Sequence, residues 1–414
     1  MIRHLRFPAV LALAVLASAC ASPRLPEAPA RPTPLLLVSV DGLRPQDITP
    51  EQMPRLAALA DAGVRAEGLR PSYPSLTFPN HYTLVTGLRP DRHGIVHNSM
   101  HDRDLGDFRL SRREAVEDAR WWGGTPVWVS VERAGLHAAT MYWPGSEAAI
   151  TGVRPRQWQK FDAATPAQWR ADTVAGWLLA PAKDRPDFAT LYFDKVDHAS
   201  HQHGPASSEA RAERADTDAA IGRLLDRLQA AGMLGKINLV VVSDHGFAEV
   251  PPGQRIAVED MVGVEQARAH SVGQVVTFTP NPGHERAAEA TLLGRHAHYQ
   301  CWKRDTLPAG WHYGDHGRVP PIVCQMDEGW DALPREVIAR GTPSTLRGSH
   351  GYDPALASMR ASFIAHGPAF RPGSRLPLLD NVDVYPLLMR LLGLPPEAND
   401  GQPHAFDAVL QPTR

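Results

Sequence analysis

Three apolar runs, each ending in a carboxylate, constrain what this chain can fold into more than any other feature. Leu35–Val40 leads into Asp41, Phe188–Phe193 into Asp197 and His201, and Leu239–Val242 into the pair Asp244-His245. A short apolar run bounded by turn residues reads as a strand buried on both faces. In an open α/β sheet, ligands bind outside the carboxyl ends of the strands. Residues far apart in the chain are therefore aimed at one place. Carboxylates together with imidazoles suit a divalent transition metal, zinc first.

The segments between the runs support that sheet. Pro54–Ala62 carries Leu56, Leu59 and Ala60 at helical spacing and stops at Gly63. Glu209–Ala231 is amphipathic, with Ile221, Leu224, Leu225 and Leu228 on one face and Gly232 at its end. A strand at Ile237–Val242 follows at once. Helix then strand, repeated, predicts an α/β fold with a mostly parallel central sheet flanked by helices. Further strands are expected at His137–Tyr142 and Ala361–Ala365. Residues 250–340 differ in texture, with Pro, Gly, Trp and His mixed among short elements. They read as a small inserted subdomain covering one side of the site, within a catalytic domain of residues 35–414. A net charge of −2 with dispersed Lys and Arg leaves no footprint for duplex nucleic acid, and nothing in the sequence specifies a protein partner.

The start of the chain reads as an address. Arg3 and Arg6 precede an apolar stretch, Phe7–Ala17, too short to stay in a bilayer as a spanning helix. Residues 1–20 thus read as a signal peptide. Ala17-Ser18-Ala19 before Cys20 looks like a bacterial lipoprotein processing site, with a lipid on Cys20; the alternative is ordinary cleavage and a soluble periplasmic product. Ala21 is not acidic, so resemblance to bacterial lipoproteins points to the outer membrane. Residues 21–34, with prolines at 23, 26, 29, 32 and 34, form a stiff tether. Cys301 and Cys324 could pair in an oxidising compartment or remain buried thiols.

Chemistry concentrates in four short segments. Pro71–Tyr82 joins a strand to a helix, and Pro79 fits the first turn of that helix. Thr77 then lies near a helix N-terminus, where free N–H groups favour an anion. It reads either as an N-cap or, beside a metal, as a hydroxyl nucleophile. Asp197 and His201 are four apart and share a face if the segment is helical; His198 and His203 then point elsewhere. Asp244-His245-Gly246 follows a strand, where Gly246 allows a sharp bend. Gly348–Asp353 presents His350 between glycines. Asp41, Thr77, Asp197, His201, Asp244, His245 and His350 divide into two metal sites of two or three protein ligands each.

Val40-Asp41-Gly42, Pro74–His81, Thr86–Pro90, His93-Gly94-Ile95 with Asn98, Ser243–Gly246 and Gly348–Asp353 together resemble the nucleotide pyrophosphatase/phosphodiesterase family of the alkaline phosphatase superfamily, in its bacterial members, from about Leu35 onward. The resemblance implies two Zn2+ per chain, one held by Asp197, His201 and His350, the other by Asp41, Asp244 and His245 with the Thr77 oxygen. It implies Thr77 as nucleophile, through a phospho-threonine, and Asn98 with the Phe78 N–H as holders of the phosphoryl oxygen. Phe78 and Phe161 would sandwich a nucleobase, Phe161 standing where tyrosine is usual; core packing is the other reading of Phe161. No polar group is evident between them, so base discrimination is expected to be modest. No Lys or Arg occurs from Pro71 to Leu88, which favours diesters and pyrophosphates over monoester dianions, unless Lys160 or Arg347 arrives from elsewhere. The expected function is hydrolysis of nucleotides to nucleoside 5′-monophosphates. A lysophospholipid or phosphonate hydrolase and an inactive nucleotide-binding lipoprotein are the alternatives.

Overall fold

The three apolar runs fold as three adjacent strands. In the computed structural model, which describes residues 31–341 and 345–412, Leu35–Val40 is flanked in parallel by Phe188–Phe193 on one side and Asn238–Val242 on the other. Every residue of the three strands is buried. They form the middle of an eight-stranded sheet ordered Ser374–Asp380, Val64–Arg70, Phe363–His366, Asn238–Val242, Leu35–Val40, Phe188–Phe193, Ala138–Met141, Gln157–Trp158. Phe363–His366 runs antiparallel to both neighbours; the other pairings are parallel.

Alternation along the central strands builds two cores, because successive side chains leave a strand on opposite faces. Leu36, Val38, Val40 and Val241 pack with Leu56, Ile221, Leu224 and Leu228 from helices on one face. Leu35, Leu37, Val240 and Val242 pack with Tyr82, Trp128 and Leu388 on the other. The Pro54–Ala62 helix has the bounds its pattern predicts. The long helix is Ser208–Ala230, begun by Ser207, whose side chain accepts from the Ala210 N–H. The strand expected at 361–365 starts only at Phe363, since the Ser362 N–H donates to Ser243 Oγ at 2.7 Å.

Within residues 250–340 lies a second, antiparallel sheet ordered Ala267–Ala269, Val275–Pro280, Ile322–Met326, Tyr299–Lys303, Gly294–Arg295. It has a core of its own around Val276, Phe278, Leu292, Ile322 and Met326. Cys301 and Cys324 face each other across its central strands and form a disulfide. The expected signal peptide, Cys20 and the expected tether up to residue 30 lie outside the described residues. No helix among those residues is long and apolar enough to cross a membrane.

Candidate active site

Each strand delivers its carboxylate at its carboxyl end. Asp41 follows the central strand directly, its N–H donating to Phe193 O at 2.9 Å. Asp197 and His201 share a face of the helix Lys195–His203, which starts just beyond Phe193. Asp244 and His245 follow Val242. His350 comes from far along the chain, behind a short strand, Arg347–Ser349, that pairs with Ala248–Val250. Two glycines make the approach possible. Gly42 adopts φ +68°, and Phe247 fills the space a Cβ would need. Gly246 is required for closeness rather than for the bend its position suggests: it has no positive φ, but a Cβ there would press on the carbonyls of Ser358 and Arg360.

The donor atoms converge in overlapping groups, with Asp41, Asp197 and His245 also within reach of one ion. His201 Nε2 and His350 Nε2 are 3.1 Å apart and lie 3.6 and 3.5 Å from Asp197 Oδ1. His245 Nε2 lies 3.0 Å from Asp244 Oδ2 and 3.5 Å from Asp41 Oδ1. The imidazoles are tethered alike. Nδ1–H of His201 donates to Gly348 O, that of His245 to Gly246 O and that of His350 to Ser75 O. Each Nε2 lone pair is thereby turned inward, the arrangement that orients metal-binding histidines. Asp41 Oδ1, Asp197 Oδ1 and Asp244 Oδ2 are buried and accept no hydrogen bond, a costly state for a carboxylate oxygen without a cation. Nitrogen and carboxylate donors of this number and geometry fit zinc.

The electrostatics point the same way. Burial, with the charges of Asp244 and Asp197, pushes the Asp41 carboxyl well above the usual range. Burial also pushes Asp244 up, but the His245 and His81 imidazoles outweigh it and hold Asp244 well below that range. Burial, reinforced by His245 and His201, holds His350 well below the usual imidazole value. Three carboxylates share a volume that calls for added positive charge.

His81 joins this set, and its sequence position gave no sign of it. Its Nδ1 is 3.2 Å from Asp244 Oδ2, so Asp41, His81 and Asp244 also make a ligand-like group. Both ring nitrogens are engaged, however: Nδ1–H donates to Thr77 O at 3.0 Å, and Nε2 accepts from Ser39 Oγ at 2.8 Å. His81 therefore supports the site from behind. Tyr192 does likewise, its hydroxyl donating to Asp41 Oδ2 at 2.6 Å.

Thr77 is the first residue of the helix Thr77–Thr86, with Leu76 at the N-cap. The N-cap reading of Thr77 therefore falls, and its hydroxyl is left for other work. Its Oγ1 is 3.3 Å from His245 Nε2. The Phe78 N–H, expected to face a phosphoryl oxygen beside Asn98, instead donates to Asn98 Oδ1 at 3.0 Å. That bond holds the Asn98 amide by its oxygen and leaves the nitrogen as its donor.

Thr77, Asp41 and Asp197 open onto a cavity of about 190 Å³, whose walls include Phe78, Tyr142, Trp143, Phe161 and Tyr192. Phe161 is 36% exposed, which removes the core-packing reading. Arg113 and Glu147 also line the cavity and pair with each other. Glu147 accepts the Phe161 N–H at 3.2 Å as well. A polar pair thus stands in the wall where the sequence showed none. Lys160 and Arg347 do not line this cavity; they pair with Glu117 and Asp331.

Comparison with known proteins places this geometry. The chain is 32% identical over 405 residues to venom phosphodiesterase CdcPDE of Crotalus durissus collilineatus, covering 95% of this chain and 48% of the relative. It is 31% identical over 408 residues to ectonucleotide pyrophosphatase/phosphodiesterase family member 1 of Mus musculus, covering 95% and 44%. The chain spans about half the length of the curated relatives it matches. Murine ectonucleotide pyrophosphatase/phosphodiesterase 5 superposes with a TM-score of 0.85 at 31% identity, over 91% of this chain and 100% of that one. The same murine protein is similar in its inactive variant in complex with AMP, with a TM-score of 0.85 over 92% of this chain. A family profile described as type I phosphodiesterase / nucleotide pyrophosphatase matches residues 35–353. That span contains all three strand ends, Thr77 and His350, and the chain belongs to this family.

Proposed function

We propose that this chain hydrolyses phosphodiester and pyrophosphate bonds of nucleotides and releases nucleoside 5′-monophosphates. The observation that carries the reading is the juxtaposition of the Thr77 hydroxyl, inward-turned histidines and an aromatic cavity in one cleft. Asp197, His201 and His350 would hold one zinc, and Asp41, Asp244 and His245, with the Thr77 oxygen, the other. Bound there, zinc would lower the pKa of the Thr77 hydroxyl and neutralise charge on the phosphoryl group.

The chain's own residues do the rest. Thr77 Oγ1 attacks phosphorus in line with the leaving oxygen, which departs as an alcohol or phosphate and takes up the proton. The phospho-threonine that remains still carries the nucleoside as its second ester. Water then attacks phosphorus, the nucleoside 5′-monophosphate leaves, and the hydroxyl is regenerated. The Asn98 amide nitrogen donates to the phosphoryl oxygen where charge develops. Its orientation is set by the Phe78 N–H.

The cavity argues for the nucleotide. Phe78 and Phe161 offer faces on which a base can stack, and Arg113 with Glu147 offers a donor and an acceptor to its edge. At about 190 Å³ the space suits a base rather than a long acyl chain; pockets enclosing whole drug-sized ligands run to roughly 300–1,000 Å³. Arg113 is the one cationic side chain lining the cavity among the described residues, and Glu147 neutralises it. A monoester dianion gains little here, so diesters are preferred.

Export to an oxidising compartment accompanies this reading. The Cys301–Cys324 disulfide supports it, and the signal peptide with a lipid on Cys20 supplies the route, ending at the periplasmic face of the outer membrane. The test is turnover of a nitrophenyl nucleoside phosphodiester with and without a chelator. Turnover lost on chelation and restored by zinc is the expected result. Undiminished turnover after exhaustive chelation would overturn the zinc reading, and none in any state would overturn the activity.

A further inference from the structure

The segment that places Asn98 has little structure of its own. Residues 94–98 run between the short helix Pro90–His93 and the strand Ser99–Asp102, in neither helix nor sheet. Their buried backbone groups must find partners elsewhere. The Gly94 and Ile95 N–H groups bond locally to Pro90 O and the His93 ring, but other partners come from the second sheet and its connections. Arg318 Nη1 donates to Gly94 O at 2.8 Å. The Tyr313 hydroxyl donates to Val96 O at 2.9 Å. The His97 ring hydrogen-bonds the backbone of Val275. Residues 94, 96 and 97, all just before Asn98, are thus held from one side.

Tyr313 and Arg318 belong to the connection between Tyr299–Lys303 and Ile322–Met326, and that connection reaches the Thr77 side too. Trp311 stacks on Tyr73 with ring centroids 3.9 Å apart, and Tyr313 meets the same ring edge-on at 5.1 Å. Tyr73 lies in the loop leading to Thr77. Arg318 also binds Asp102 and the Trp121 carbonyl, both at 2.7 Å. One connection therefore grips the two segments whose spacing decides whether Asn98 reaches a phosphoryl group on Thr77.

We propose that residues 304–321 act as a brace that sets the position of Asn98, with Tyr313 as the positioning residue. The proposal rests on the reading of Asn98 as a donor to the phosphoryl oxygen, and it gives the inserted region a role in the reaction. Small displacements of such a donor are expensive in rate, so the brace acts on kcat rather than on substrate binding.

The experiment compares wild type, Tyr313→Phe, Asn98→Ala and the double variant. Tyr313→Phe keeps the ring in its packing and removes only the hydroxyl. It should lower kcat for a nitrophenyl nucleoside diester about 10- to 100-fold with KM within about twofold. In the Asn98→Ala background the same change should cost less than about twofold, because coupled residues are non-additive. Amide hydrogen exchange in residues 94–99 should quicken about tenfold in Tyr313→Phe with the central strands unaffected. Equal fractional losses in both backgrounds, or unchanged kcat and exchange, overturn the brace and leave the diesterase reading intact. Quickened exchange in a protein whose wild type cleaves no nucleotide diester supports the brace and refutes the activity.

Discussion

Asn98 and Glu147 show how single side chains divide the work in this cleft. On the proposed mechanism Asn98 would meet charge that exists only while phosphorus is being transferred, so its loss should appear in rate. Asn98→Ala is predicted to lower kcat by about 10²–10³ with little change in KM, read from steady-state kinetics; an unchanged kcat would return Asn98 to a turn residue. Glu147 instead anchors Arg113 and the Phe161 backbone. Glu147→Gln weakens one wall of the base site, and KM for a nucleotide diester should rise roughly tenfold while zinc content is unchanged. A KM equal to wild type would detach Phe161 from substrate binding. Of the seven proposed metal-site residues, Asp41, Asp197, His201, Asp244 and His245 stood out as acids and imidazoles at or just past the ends of apolar runs. Thr77 and His350 came instead from a helix start and a glycine-flanked loop. His81, Arg113 and Glu147 were not readable. Their meaning comes from partners brought close by the fold, and no spacing in the chain records that.

At the scale of elements, the helix Pro54–Ala62 shows a cap supplied from outside. Its N-cap Met53 offers no side-chain acceptor. Asp218, from the long Ser208–Ala230 helix, accepts the N–H groups of Arg55 and Leu56 at 2.9 and 2.8 Å. Asp218→Ala removes that buried cap and should cost about 1–2 kcal/mol of stability, measured by urea denaturation, with kcat unchanged. A loss below about 0.5 kcal/mol would mean that water caps the helix as well. Long periodic elements such as these two helices were legible from the sequence to within a residue. The short strands of the second sheet were not. Elements of two to six residues carry too little alternation to be told from turns, and their order depends on pairings such as Cys301 with Cys324. The same limit hid the brace on residues 94–98, whose partners lie more than 170 residues onward in the chain.

For the whole molecule, the parallel arrangement of three buried strands gathers the site, and buried histidines around it make the fold acid-sensitive. Burial holds His93 at about 3 and His97 at about 4, below the ordinary 6.5. Both stay neutral in the fold, whereas the unfolded chain takes up protons as pH falls through 6.5. Stability from these groups is full above pH 6.5 and declines from there towards pH 4 and below. The urea midpoint should drop between pH 7 and pH 5, less steeply in His93→Gln; an identical slope in that variant would remove His93 from the account. In the proposed mechanism the metal site and the Thr77 nucleophile act together, and one comparison tests both. Wild type and Thr77→Ala, purified alike, should each carry about two zinc ions per chain, since the carboxylates and imidazoles remain. Only wild type should turn over a nitrophenyl nucleoside diester. Thr77→Ala hydrolysing the diester at the wild-type rate would contradict the covalent route through Thr77, and one zinc per chain in the wild type would contradict the two-metal site.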